Sequence, residues 1–73
     1  MFTVMMREYN PDFGALDPEA VVLKTCQTVD ECKVVMRDAM DQDNASIYYM
    51  VDIFGNKNYY CYAFDKIYAG EWG

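Results

Sequence analysis

The stretch SIYYMVDIFGNKNYYCYAF, residues 46–64, holds five of the chain's seven tyrosines. Two β-prone runs flank a Gly-Asn pair, which is the pattern of a hairpin. A turn at Gly55-Asn56-Lys57-Asn58 sets Phe54 opposite Tyr59. Ile47, Tyr49, Val51 and Ile53 then share a face with Tyr60, Tyr62 and Phe64. The reverse face holds Tyr48, Met50, Asp52 and Phe54, together with Tyr59, Cys61, Ala63 and Asp65. The first face is almost wholly apolar and is expected to lie under a helix. Its two aspartates mark the second as the wetter side. Side chains alternate along a strand, so a slip of one residue swaps some of these assignments.

The helix lies just upstream. Thr28-Val29-Asp30-Glu31 fits a capping box, with Thr28 as N-cap and Glu31 reaching back to its N–H. Asp30 and Glu31 also stand where the helix dipole favours anions. Val29, Cys32, Val35, Met36, Ala39 and Met40 form one apolar stripe, while Lys33, Arg37, Asp38 and Asp41 fall on the other side. Val34 stands beside the stripe and would widen the buried face. The helix is expected to end near Asp41 or Gln42.

Further out, FTVMMREY at 2–9 alternates, with Phe2, Val4 and Met6 on one side and Thr3, Met5 and Arg7 on the other. This predicts a strand. NPDFGALDPE at 10–19 carries two prolines, one glycine and three acids and reads as a loop. AVVLKTCQ at 20–27 is β-branched and apolar and reads as a second strand. The order β-β-α-β-β predicts an α+β fold: a single small domain over residues 1–73, with one helix on one face of an antiparallel sheet.

Composition bounds the rest. A chain of 73 residues supports one small core, worth about 3–5 kcal/mol net. Hydrophobic residues make up 53% and aromatics 16%, too many for a disordered tail. No apolar run approaches the ~20 residues of a membrane span. MFTVMMREYN has no basic region leading into an apolar stretch and cleavage site, so no signal peptide is read. The net charge of −6 opposes direct contact with nucleic acid or anionic lipid and favours a basic partner, such as a protein with a basic nucleic-acid-binding groove.

Chemistry is sparse. The chain has three cysteines, no CxxC pair and no histidine, which favours reduced thiols in the cytoplasm of a host cell and opposes a zinc site. A Cys26–Cys32 disulfide is the pairing left open. Cys32 falls on the apolar stripe as a core residue, and Cys61 has no histidine to activate it. Asp41-Gln42-Asp43-Asn44 starts like a calcium loop, but Ser46 stands where glycine is needed and Asp52 where glutamate is. With one serine and no Gly-rich phosphate loop, the reading is no enzyme, no metal and no cofactor.

What remains is surface. A helix on one side leaves the reverse face with Tyr48, Met50, Phe54, Tyr59 and Met5, the kind of patch that marks an interface. Tyrosine contributes large contact area with few rotors. Cross-strand aromatic pairs also stabilise a hairpin on their own account, by about 0.2–1 kcal/mol each. The acids group as Asp12, Asp17 and Glu19 in the loop and Asp38, Asp41 and Asp43 at the helix end. They read either as a phosphate-like surface or as plain solvation. Acids at a helix C-terminus oppose the dipole, which favours a role for Asp38 and Asp41. The candidate partner-binding residues are Tyr48, Met50, Asp52, Phe54, Tyr59, Asp38, Asp41 and Asp43.

A capped helix beginning TVDEC, a strand, a tight GN turn, another strand and a tryptophan in GEW resemble the layout of small phage-encoded anti-CRISPR proteins of the type I-F class. The resemblance is one of pattern, spans residues 28–73 and transfers no binding residue. It implies a stoichiometric inhibitor of a host complex that catalyses nothing. The alternative expectation is a homodimeric accessory module that uses the same face against itself. Trp72 would cap the core or anchor a contact.

Overall fold

The computed structural model describes residues 1–69. Trp72 and the GEW segment lie outside them. The elements are β1 (Phe2–Arg7), β2 (Tyr9–Asn10), β3 (Ala15–Leu16), β4 (Val21–Cys26), α1 (Val29–Gln42), β5 (Ile47–Val51), β6 (Lys57–Cys61) and β7 (Lys66–Ala69). Five strands form one antiparallel sheet in the order β4-β1-β5-β6-β7. The helix packs over β1, β5 and β4. The α+β class and the single helix on an antiparallel sheet are as the sequence predicts.

The helix forms where its signals lie. Thr28 is the N-cap, and its Oγ1 accepts from the Glu31 N–H at 3.2 Å. Glu31 Oε2 reaches one residue further back than a capping box requires, and accepts from the Gln27 N–H at 3.0 Å. The stripe buries Cys32 and Met36 fully, with Val35, Ala39 and Met40 packed beside them. Val29 and Val34 stay exposed, so the buried face is narrower than the stripe.

Two strand pairings depart from expectation. Residues 10–19 are not an open loop: β2 and β3 pair across a turn in which the Asn10 carbonyl accepts from the N–H groups of Phe13 and Gly14, at 3.2 and 2.9 Å. Gly14 sits at φ 63, where a side chain would be strained. The last third is a three-stranded meander rather than a hairpin. β6 stops at Cys61, a turn over 62–65 with Asp65 at φ 50 reverses the chain, and β7 pairs back on β6.

The larger correction is register. Tyr49 pairs with Tyr59, Met50 with Asn58 and Val51 with Lys57. The turn spans 52–56, not 55–58. Asp52 causes the shift: Oδ1 accepts from the N–H groups of Phe54 and Asn56, both at 2.9 Å, and Oδ2 accepts from Asn56 Nδ2 at 3.3 Å. The Asp52 carbonyl also accepts from the Gly55 N–H, and Gly55 takes φ 81. A carboxylate that satisfies this many local donors stops the strand early. Relative to β6 the displacement is an odd number of residues, so every side chain of β5 changes face.

Tyr48 and Met50 therefore lie under the helix, in a core with Val4, Cys26, Cys32, Met36 and Tyr60. Ile47, Tyr49 and Val51 lie on the reverse face. Tyr60 remains on the helix side, as expected, whereas Ile53 and Phe64 sit exposed in turns. Met36 has no exposed surface, so Met36→Ala is expected to cost about 2–5 kcal/mol, comparable to the whole stability of so small a domain. Val34→Ala should change it by less than about 0.5 kcal/mol. Urea unfolding of the two variants checks the ordering, and a Met36→Ala protein with unchanged midpoint contradicts the core assignment.

Candidate binding surface

One helix covers one side of the sheet. On the other side, Met5, Tyr49, Tyr59 and Tyr68 stand opposite one another across β1, β5, β6 and β7. Val22 continues the row on β4. Thr3, Val51 and Lys57 form a parallel row toward one end of the sheet. Toward the other end lie the pairs Arg7–Ile47 and Cys61–Lys66. The row is packed within itself. The Tyr49 and Tyr59 rings lie 5.5 Å apart, and Lys57 Nζ is 5.5 Å from the Tyr49 ring centroid. Tyr49 is left only 5% exposed, Tyr59 and Met5 are half-buried, and Tyr68 is 48% exposed.

The surface beside it is a hydrogen-bonded turn. Ile53 and Phe54 are 72% and 82% exposed at the tip that Asp52 organises. Bonds from the Asn56 and Phe54 amides hold the Asp52 carboxyl below the usual carboxylate range. Two large apolar side chains held out by a hydrogen-bonded turn lose little freedom on binding, which suits an anchor.

The acidic candidates separate into two kinds. Asp38 and Asp41 are exposed on the helix, and Asp41 Oδ1 accepts from Tyr62 OH at 2.6 Å. Arg37 lies over the same ring, 5.3 Å from its centroid. Asp43 is a structural joint. It caps α1, and its carboxylate accepts from Ser46 Oγ at 2.7 Å and the Ala45 N–H at 3.0 Å. Its carbonyl accepts from Tyr48 OH, and Ser46 Oγ accepts from the Tyr9 N–H. The Ser46 and Ala45 bonds lower the Asp43 pKa. Asp43, just past the helix end, is thus held by the chain itself.

A second polar cluster ties the helix to the last turn. Tyr60 OH donates to Asp65 Oδ1 at 2.6 Å, and Lys33 lies 3.6 Å from Asp65 Oδ2. The Tyr60 bond and then Lys33 pull the Asp65 pKa down, while burial pushes Tyr60 up to about 12. Cys32 is also pushed up to about 12, by burial and then by the Cys26 thiol, so it is a poor nucleophile at neutral pH.

Of the eight sequence candidates, Tyr59 and Phe54 are on the accessible side, Asp38 and Asp41 are on the helix, Asp52 and Asp43 hold turns, and Tyr48 and Met50 are core. Tyr68, Tyr49, Lys57 and Lys66 on the open face were missed. The signal for Tyr68 was present: YAFDKIYA places an Asp between two apolar runs, a turn mark of its own. Compared with known protein families, curated proteins and solved structures, the chain matches none.

The lowered pKa values of Asp43, Asp52 and Asp65 carry a sign. Each sits below the unfolded value near 3.9, so the stability it contributes is fully present above that pH and lost as pH falls through the folded value. The urea midpoint is expected to hold from pH 7 to 5 and to fall below about pH 4. Asp52→Asn should flatten that fall, and an identical acid limb in the variant contradicts the assignment.

Proposed function

We propose that the protein is a small stoichiometric inhibitor, of the phage or mobile-element kind, that binds a host protein and catalyses nothing. The observation that carries this reading is the side of the five-stranded sheet away from the helix, with its row of Met5, Tyr49, Tyr59 and Tyr68. The row is partly accessible, with Tyr68 48% exposed and Met5 and Tyr59 half-buried, and accessible aromatic surface on so small a domain favours an interface. The Ile53–Phe54 tip extends it at one end. Asp38 and Asp41 on the helix supply a separate acidic side that suits a basic groove. Among the described residues no group of three or more cysteines and acids is placed to hold a metal ion. The thiol of Cys32 is buried and raised in pKa. The raised Cys32 thiol fits binding better than thiol catalysis.

A homodimer through the same face is the weaker reading. The face carries Arg7, Lys57 and Lys66, and pairing it with itself sets cations against cations.

The test is a titration. A host protein captured by the chain should lose its activity in proportion to added chain, with an end point at a fixed molar ratio. Tyr59→Ala with Tyr68→Ala should weaken binding by about 1–2 kcal/mol per ring and leave the circular-dichroism spectrum unchanged. Full inhibition by the folded double variant removes the sheet face from the reading. Inhibition at substoichiometric chain would point to turnover and overturn it.

A further inference from the structure

The chemistry of the open face narrows its partner, granted that the face is the docking surface. We propose that it takes a protein segment bearing acidic side chains on either side of an apolar or aromatic centre. The chain has twelve acids and six bases, yet no strand of the sheet contains an aspartate or glutamate. Four of the six bases, Arg7, Lys24, Lys57 and Lys66, lie in those strands.

Three of these flank the tyrosine row. Lys57 lies toward one end, and Arg7 and Lys66 toward the other. Arg7 Nε donates to the Asp17 carbonyl at 3.0 Å, and Lys57 sits against the Tyr49 ring. Among the described residues the one ion pair is Lys33–Asp65, so none of these three cations is ion-paired to a described carboxylate. In a protein of net charge −6 these three cations flank the tyrosine row on one face.

Charge complementarity then selects the occupant. A second copy of the same face doubles the positive charge. A single-stranded nucleic acid matches the cations but meets two obstacles. As a polyanion it feels the net charge of the whole chain at long range. The rings also offer a poor stacking platform, since Tyr49 is covered by Tyr59 and Lys57. A protein segment avoids both. Its carboxylates are few and spaced, and its apolar centre can lie against Tyr59 and Tyr68. Lys57 and the level of Lys66, which pairs with Cys61, are four residues apart along β6, roughly 13 Å at strand rise. Two acids four residues apart on an extended segment match that span.

The experiment is selection of a displayed library of random peptides, about a dozen residues long, against the full chain at physiological salt. Binders are then mapped by chemical-shift changes at Tyr59 and Tyr68. The expected result is enrichment of aspartate or glutamate around an aromatic or apolar residue. Binding should weaken as salt rises and fall on the order of tenfold in Lys57→Glu with Lys66→Glu. Lys57→Gln with Lys66→Gln, a milder change for the fold, should show a smaller loss in the same direction. Binders on the same tyrosines that are neutral or basic overturn the acidic partner and leave the docking face standing. No specific binder, or binders that map away from these tyrosines, counts against both. An oligothymidylate that binds the face more tightly than every selected peptide overturns the proposal in favour of nucleic acid.

Discussion

The carboxylate of Asp52 decides the architecture more than any other single group. By accepting from the amides of Phe54 and Asn56 it makes 52–56 a closed turn and ends β5 at Val51. That end point sets Tyr49 opposite Tyr59. The pairing in turn sends Tyr48 and Met50 down onto the helix and Tyr49 up to the open side. Strand alternation leaves no intermediate arrangement, so one polar side chain at the end of a strand distributes the aromatic side chains of both faces.

The two faces do different physical work. The helix side buries Val4, Met36, Tyr48, Met50 and Tyr60 beneath α1 and supplies the hydrophobic stabilisation of the domain. Its tyrosines have their hydroxyls satisfied, Tyr48 on the Asp43 carbonyl and Tyr60 on Asp65, so their burial leaves no polar atom stranded. On the open side the Tyr49 and Tyr59 rings pack laterally against each other. Tyr49, with Tyr59 and Lys57 beside it, is kept out of water, while Tyr68 at the margin stays accessible.

Charge follows the same division. Acids occupy the helix, caps and turns, where their carboxylates hold backbone amides, as Asp43, Asp52 and Glu31 do. Four of the six bases lie in the strands, and Arg7, Lys57 and Lys66 share the open face. A small acidic protein thereby gathers three cations on one face, and a view of it through net charge alone misses them.

The sequence by itself determined the helix with its N-cap at Thr28, strands within 2–9 and 20–27, and the α+β class. These rest on signals local to a few residues: a capping threonine, a 3.6-residue stripe, an alternation beginning at Phe2. It also placed Tyr59 and Met5 on the open side and Tyr60 beneath the helix. The faces of Tyr48, Tyr49 and Met50 were beyond it. IYYMV is apolar at every position, so alternation along β5 carries no direction, and only pairing with β1 and β6 supplies one. The row that joins Tyr49, Tyr59 and Tyr68, and the cations around it, exist because strands distant in the chain are brought side by side. Register between strands is a tertiary property, and here it is what makes a surface out of scattered tyrosines.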